Sequence, residues 1–384
     1  MMNDLPLIYD LEMSDLKGLF AELGEPAYRA EQVWQGLYKN FWNAPEEFTT
    51  LSKELREKLG QVLRFQALDP VSYLDSSDTK TRKTLFRLND NRVIEAVLMK
   101  YGDPASLPPS ALRPRPIERD RDRQAQGGVS SEERGEKQRR TLCISSQAGC
   151  AMGCVFCATG QMGFTRNLSS GEIVAQVIYY ARMLNQQDEQ VTNVVLMGMG
   201  EPFHNYENVM AAIDRLNDPQ GYNFGARRFT ISTVGLVPKI KRFADEKRQV
   251  NLAISLHAAD DDERSEIMPV NQKYPISKLL EACRYYVDQT GRRITFEWAL
   301  IAGVNDSEDV ARKLAGRLKG LLCHVNAIPL NPTTGYKGQA TTRQSAARFK
   351  ETLEQAGIPC TIRMRRGIDI QAGCGQLAGS VSSS

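Results

Sequence analysis

The second half of the chain alternates short apolar runs with longer amphipathic segments. The apolar runs have the length and composition of buried strands, and they cover 141–145, 193–197, 228–233, 251–255, 294–300, 325–330 and 360–365. The amphipathic segments between them predict helices over 170–184, 206–216, 276–290, 307–318 and 342–356. Single strands that alternate with single helices are typical of parallel β/α units. We therefore expect an α/β fold, a partial (β/α) barrel over 140–366 with its chemistry at the carboxyl ends of the strands.

Residues 1–66 show a different pattern, in which apolar positions such as Val33, Leu37 and Phe41 recur at helical spacing. This predicts a small N-terminal helical accessory domain with a core of its own. Contact with RNA through basic side chains of this domain is a second interpretation. Those side chains are Arg29, Lys39, Lys53, Arg56 and Lys58.

Residues 67–102 resemble strands around a polar Asn89-Asp90-Asn91 turn, which predicts a β-hairpin linker between the accessory domain and the barrel. Glu95 interrupts one of these apolar strands. Its carboxylate either points at a functional site or faces outward into solvent.

Two further segments are predicted to lack regular structure. Residues 103–139 are rich in proline and charge and nearly free of apolar side chains, which indicates a disordered insertion because such a segment cannot bury a core. Residues 367–384 form a glycine-containing C-terminal loop that carries Cys374 and ends in a frayed tail.

The amino-acid composition is that of an ordinary globular protein without a strong net charge. The 384 residues are 41% hydrophobic and 25% charged, as in ordinary globular proteins, and the net charge of +3 does not indicate a nucleic-acid partner. The N-terminus lacks the features of a signal peptide, and no apolar run is long enough to span a bilayer. We therefore expect a cytoplasmic protein with reduced thiols. The chain contains eight cysteines and only three histidines, which favours a functional site built on cysteine over one built on histidine.

Three of the cysteines, Cys150, Cys154 and Cys157, follow the first barrel strand on one short loop. Three thiolates so close in sequence suit an iron–sulfur cluster, whose irons prefer sulfur ligands. Zinc is the alternative, but a structural zinc site needs four ligands, and no further Cys or His lies nearby in the sequence.

Polar and glycine residues stand where the other barrel strands end. They are Gly200, Glu201, Ser232, Ser255, Leu256, His257 and Asn331. Each one alone is also compatible with a turn or a helix cap. Together, at the catalytic end of a barrel and after a cluster loop, they predict a cofactor pocket.

The C-x3-C-x2-C spacing, with Phe156 before the last cysteine, resembles that of radical S-adenosylmethionine (SAM) enzymes. Cys143, the glycine-flanked Cys374 and the 157–164 stretch closely resemble the RlmN/Cfr group of rRNA/tRNA adenine methyltransferases. The resemblance covers about residues 14–377, apart from the insertion. It implies a [4Fe–4S] cluster on the three loop cysteines and a SAM-binding role for the strand-end residues.

The same resemblance implies a reaction that uses two SAM molecules per turnover. Cys374 takes a methyl group from the first, and a 5′-deoxyadenosyl radical from the second activates that methyl group, which then adds to the RNA base. Glu95 matches the general base of the group. Cys143 matches the second cysteine, which resolves the RNA–protein adduct and leaves a transient disulfide with Cys374.

The resemblance also implies the partners of the reaction. The substrates would be C2 of an adenosine in 23S rRNA at the peptidyl-transferase centre and adenosine 37 of tRNA. An electron donor of the flavodoxin or ferredoxin type and a disulfide reductant would assist a monomeric enzyme. Basic residues near the barrel mouth would hold phosphates or form intramolecular pairs. They are Lys337, Arg363, Arg365 and Arg366.

Several alternatives stay open at the level of sequence. No physical feature of the sequence distinguishes methylation at C2 from methylation at C8 of the same rRNA adenosine, which is the reaction of the Cfr branch. The length of the chain and its N-terminal pattern favour the C2 group. A non-catalytic iron–sulfur redox sensor that binds RNA, or a zinc-dependent RNA-binding module, would need no Cys374. The remaining cysteines, Cys283, Cys323 and Cys360, are interpreted as core residues.

Overall fold

The computed structural model describes residues 5–102, 138–363 and 365–379. The predicted insertion 103–139 lies outside these ranges except for its last two residues. Arg139 already belongs to a strand, so regular structure begins inside the segment that the composition assigned to the insertion. The predicted frayed tail beyond Gly379 also lies outside the described residues.

The N-terminal region is helical, as predicted. Its helices are α1 (Met13–Glu22), α2 (Tyr28–Tyr38) and α3 (Lys53–Val62). Val33 and Leu37 on α2 are completely buried, and Trp34 and Tyr38 lie with their ring centroids 4.6 Å apart. The apolar face of this region is therefore buried, in one cluster with the apolar residues of the barrel rather than in a core of its own. Contact of its basic side chains with RNA stays a prediction.

Three antiparallel strands follow, β1 (Asp69–Asp75), β2 (Thr81–Arg87) and β3 (Val93–Tyr101). β3 pairs antiparallel with the next strand, β4 (Arg139–Cys143). The hairpins predicted as a linker are therefore part of the barrel sheet and extend it at one edge.

Seven parallel strands form the barrel, joined by helices. Strands β5 (Gln147–Gly149) and β6 (Phe164–Asn167) form a separate hairpin. The barrel strands after β4 are therefore β7 (Asn193–Leu196), β8 (Phe229–Thr233), β9 (Asn251–Ser255), β10 (Ile294–Leu300), β11 (Cys323–Pro329) and β12 (Cys360–Ile362). The ten-stranded sheet has the order β1-β2-β3-β4-β7-β8-β9-β10-β11-β12. Within the described residues β12 pairs only with β11, so the barrel is open, and the predicted partial-barrel α/β fold is confirmed.

Eight further helices lie in the described residues, of which α4 follows the cysteine loop and the others follow later parts of the chain. They are α4 (Ala158–Gln161), α5 (Ser170–Asn185), α6 (Tyr206–Asn217), α7 (Val237–Asp245), α8 (Asp261–Ile267), α9 (Ile276–Thr290), α10 (Glu308–Leu318) and α11 (Arg343–Gln355). Ser307 and Thr342 cap α10 and α11, each accepting a backbone N–H three residues ahead. The pattern missed α7 and α8 because they are too short for helical periodicity to become visible. No helix in the described ranges is long and apolar enough to cross a membrane.

A buried arginine joins the N-terminal region to the barrel. Arg215 on α6 donates to the carbonyl oxygens of Tyr9 at 2.6 Å and Asp10 at 3.2 Å, and to the Ser170 hydroxyl at 3.1 Å. Because a buried carbonyl that loses its donor keeps its desolvation cost, these bonds fix how the two parts pack.

Replacing this arginine tests its contribution. Arg215→Ala should destabilise the native protein by about 3 kcal/mol, because it leaves buried carbonyl groups unsatisfied. The measurement is the urea midpoint followed by circular dichroism. The matched control is Arg242→Ala on α7, whose guanidinium pairs with Glu207 at the surface and whose loss should leave the midpoint nearly unchanged. Equal midpoints for wild type and Arg215→Ala would show that apolar packing alone holds the N-terminal region.

Candidate functional site

The three loop cysteines lie between β5 and α4, on a turn whose backbone is fixed. Gly149 adopts a φ of +75°, and a Cβ there would overlap the carbonyl oxygen of Gly163. The N–H of Cys150 donates to that same oxygen at 2.9 Å. Only glycine fits this close approach, so the loop starts in one defined direction and carries its cysteines over the barrel mouth.

Burial makes the thiols of Cys150 and Cys154 difficult to ionise without a partner. Desolvation, reinforced by Glu201 and Cys157, raises the pKa of Cys150 to about 12. Burial among apolar side chains also raises the pKa of Cys154, and the neighbouring thiols add to that effect. A cationic group bound between the thiols would reverse both shifts, so the loop is suited to a metal centre.

The cysteine loop covers a cavity that is partly open to solvent. Most of the residues predicted for the site line it together. They are Cys150, Cys154, Cys157, Gly200, Glu201, Ser232, Ser255, His257, Asn331 and Cys374. Three predicted residues are buried outside this lining, namely Leu256, Glu95 and Cys143.

Glu201 supplies a buried carboxyl group at the end of β7. Its two oxygens accept the backbone N–H groups of Phe203 at 3.0 Å and Val234 at 2.9 Å. Burial nevertheless raises the pKa of Glu201 to about 7. Such a group gains from an ammonium ligand, because a neighbouring cation stabilises the ionised carboxylate. The adjacent Gly200 has a φ of +101°, and a Cβ there would lie 2.5 Å from Cβ of Gln147.

His257 is a buried side chain of the cavity wall, and its predicted role in cofactor binding stays a prediction. Burial lowers its pKa to about 3, and its Nδ1 accepts the backbone N–H of Ala299 at 2.8 Å. Its ring meets that of Phe156 edge to face, with centroids 4.9 Å apart. His257 therefore fixes the position of the cluster loop relative to the end of β10.

The two predicted catalytic cysteines approach the cavity from different elements. Cys143 on β4 is buried, and burial and the nearby Cys374 raise its thiol pKa. Cys374 is exposed on the C-terminal segment (367–379), where Asn331 donates to its carbonyl oxygen at 3.0 Å. Desolvation by surrounding protein raises the pKa of Cys374 although part of its surface is open, while Arg363 opposes that shift.

Glu95 points into the protein, so the outward-facing interpretation of this carboxylate is wrong. Its Oε1 lies 3.1 Å from Nζ of Lys83. Its Oε2 accepts the backbone N–H groups of Ala378 at 2.9 Å and Gly379 at 3.3 Å. The carboxylate therefore connects the hairpin sheet to the end of the segment that carries Cys374.

Comparisons with known proteins agree with this architecture. Residues 144–314 match the radical SAM superfamily, and residues 7–64 match the N-terminal domain of ribosomal RNA large subunit methyltransferases. The chain is 44% identical to dual-specificity RNA methyltransferase RlmN 1 of Myxococcus xanthus over 97% of this chain and 94% of that protein. It is 41% identical to a probable RlmN of Clostridium perfringens, with 96% of each chain covered.

A solved structure also matches over nearly its whole length. A radical SAM methyltransferase from Sphaerobacter thermophilus is 45% identical, with a TM-score of 0.86, and the match covers 98% of this chain and all of that one. This chain belongs to the RlmN family of radical SAM methyltransferases. Its cofactors are accordingly a [4Fe–4S] cluster and SAM. The cavity suits them, because the thiols of Cys150 and Cys154 and the buried carboxyl of Glu201 at its wall each gain from a cationic partner.

One carboxyl group that lines the cavity was not predicted from the sequence. Glu297 on β10 lines it and is buried, and its Oε2 accepts Nδ2 of Asn326 at 2.6 Å. Burial raises the pKa of Glu297 to about 7, with Arg363 acting in the opposite direction. The available signal was a carboxylate inside the apolar strand 294–300, the same signal that drew attention to Glu95.

The remaining candidates have ordinary structural surroundings. Cys283, Cys323 and Cys360 are buried, as predicted. His204 pairs with Gln147 at 2.8 Å. Among the basic residues of the mouth, Arg366 stacks on the Tyr101 ring at 4.6 Å, which favours the intramolecular interpretation for this side chain.

The cluster assignment can be tested by iron content. Cys157→Ala should lose most of the bound iron after anaerobic reconstitution, because an iron without its thiolate is released. The measurement is iron per chain together with the visible absorbance of the cluster. Cys323→Ala, which removes a buried thiol remote from the cavity lining, should keep the wild-type iron content. Equal iron in wild type and Cys157→Ala would contradict the assignment.

Proposed function

We propose that this chain methylates C2 of an adenosine in 23S rRNA and C2 of adenosine 37 in tRNA. The observation that carries the proposal is that Cys374 lines the same cavity as the three cluster thiols. Cys374 also lies close enough to Cys143 to add to the rise that burial causes in the pKa of the Cys143 thiol. The relatives named as dual-specificity RNA methyltransferases support the same substrates. Cytosolic location and a monomeric state are parts of this proposal.

When bound, the cluster and SAM supply the methyl group and the radical chemistry that an electron-poor C2 carbon requires. The chain itself supplies the carrier of the methyl group. The Cys374 thiol must lose its proton to become a nucleophile, and the Arg363 cation favours that loss. The methyl group on Cys374 would lose one hydrogen atom to the radical that the bound cofactors supply, and its carbon would then bond to C2, which joins the RNA covalently to the protein. The unpaired electron left on the purine ring would return to the bound cofactors. The target adenosine must be unpaired or extruded to reach this cavity.

Release of the RNA requires two further side chains. Glu95 accepts the C2 proton. The Cys143 thiolate attacks the sulfur of Cys374, so an S–S bond forms while the bond between that sulfur and the methylene carbon breaks. The electron pair of the broken bond stays on the carbon, which takes up a proton and becomes the methyl group. An external dithiol must then reduce the disulfide, and a flavodoxin- or ferredoxin-type donor must reduce the cluster.

Substituting the two cysteines should block different steps. Cys143→Ala should accumulate RNA crosslinked to the protein, because nothing resolves the adduct, whereas Cys374→Ala should form no adduct. The measurement is a denaturing gel of labelled RNA after anaerobic turnover with SAM, with Cys323→Ala as a control that releases product normally. Free methylated RNA and no adduct from Cys143→Ala would overturn the roles assigned here.

The position of methylation is a separate outcome. Mass spectrometry of digested rRNA and tRNA should find 2-methyladenosine in both substrates. Finding 8-methyladenosine instead would assign the chain to the Cfr-like reaction. Release of 5′-deoxyadenosine under reducing conditions should accompany turnover, and its absence from protein with an intact cluster would favour the redox-sensor alternative.

A further inference from the structure

Lys83 is a buried cation that the reaction described above does not use. It lies on β2, where it pairs with Val97 of β3, and Val97 pairs in turn with Cys143 of β4. Residues that oppose each other across a sheet share one face. Glu95, two positions from Val97 on β3, lies on that face as well. The hairpin sheet therefore presents Lys83, Glu95 and Cys143 on the same side.

The first contact of Lys83 is with the proposed base. Its Nζ lies 3.1 Å from Oε1 of Glu95, whose side chain is only 2% exposed. A carboxylate buried this deeply needs a cation or hydrogen-bond donors at its oxygens in place of water. Within the described residues, Lys83 is the one cation that pairs with Glu95. The Ala378 and Gly379 N–H groups are the uncharged donors, and Cys143 lies one row away on the same face.

The second contact of Lys83 is with the segment that carries Cys374. Its Nζ donates to the carbonyl oxygen of Gln371 at 3.4 Å. Glu95 holds the other side of that segment through the N–H groups of Ala378 and Gly379. The Lys83–Glu95 pair therefore holds the chain on both sides of Cys374, three residues before it and four residues after it.

We propose that Lys83 is a positioning residue that fixes the Glu95 carboxylate relative to the Cys374 segment. This inference rests on the proposed function, because it takes Glu95 as the base. The step concerned is proton transfer from the RNA adduct: the C2–H bond breaks, an O–H bond forms on Glu95, and the electron pair stays in the purine ring. Lys83 acts through Glu95 and touches neither RNA nor cofactor.

The test compares Lys83→Met, which removes the charge, with Lys83→Arg, which keeps it. The control is Lys100→Met on β3, whose ammonium pairs with Glu189 at 3.5 Å, far from the cavity lining. Three quantities are measured for each protein after anaerobic turnover with SAM and labelled RNA. They are the methylation of Cys374 by peptide mass, the fraction of RNA held as adduct, and the rate of methylated RNA release.

Lys83→Met should retain methylation of Cys374 but release methylated RNA at least about tenfold more slowly and accumulate adduct, because its base is misplaced. RNA deuterated at C2 should slow this variant more than it slows wild type, since proton transfer becomes rate-limiting. Lys83→Arg should recover most of the release rate, and Lys100→Met should match wild type. A structural role would produce neither the larger isotope effect nor the recovery by arginine.

Two results would overturn the inference. One is wild-type release from Lys83→Met, and the other is a parallel loss of Cys374 methylation and of release, which would make Lys83 a folding residue. Glu95→Gln separates this failure from that of the proposed function. If Glu95→Gln releases product at the wild-type rate, Glu95 is not the base and the proposed mechanism fails. If Glu95→Gln accumulates adduct while Lys83→Met does not, only the inference about Lys83 fails.

Discussion

The antiparallel pairing of β3 with β4 is the constraint on which the candidate site depends. It joins the hairpin strands to the first strand of the barrel, with Val97 opposite Cys143. A shift of this register by one residue would turn Glu95 to the other face of the sheet, away from Cys143. The remaining groups, on the cluster loop and the C-terminal segment, come from parts of the chain distant in sequence, and the sheet is what brings all of them together.

A second feature of the site is that several of its acidic groups, thiols as well as carboxyl groups, are shielded from water. Cys150, Cys154, Glu201 and Glu297 all have raised pKa values, with desolvation as the first cause in each case. Each group is easier to ionise when a positive ligand approaches. Binding of the cluster and of SAM is therefore coupled to proton release, and cofactor affinity should weaken toward low pH.

Much of the barrel could be predicted because its strands and helices are encoded locally. The bounds of β9, β10 and α9 match the apolar and amphipathic segments residue for residue. The pairing of β3 with β4 could not be predicted, since the two strands lie on either side of the long segment 103–137 and only their contact in space reveals it. The same limit applies to Glu95, whose backbone donors lie 283 and 284 residues further along the chain.

Site residues were predictable where the spacing itself carries chemistry, as in the cysteine loop. Lys83 and Glu297 were missed because a single charged residue in a strand does not show which face it occupies. Their importance comes from their partners, Glu95 and Asn326, and those partners lie on other strands.

Tyr101 and Arg139, the ends of the two strands that frame the segment 103–137, are direct neighbours in the sheet. A connection between neighbouring ends can grow or shrink at little entropic cost, because closing a loop depends only weakly on its length. An affinity tag or a fluorescent label placed in this connection should leave the cavity intact. The carboxyl terminus is the poorer place for such a tag, since its last described residues hold Glu95.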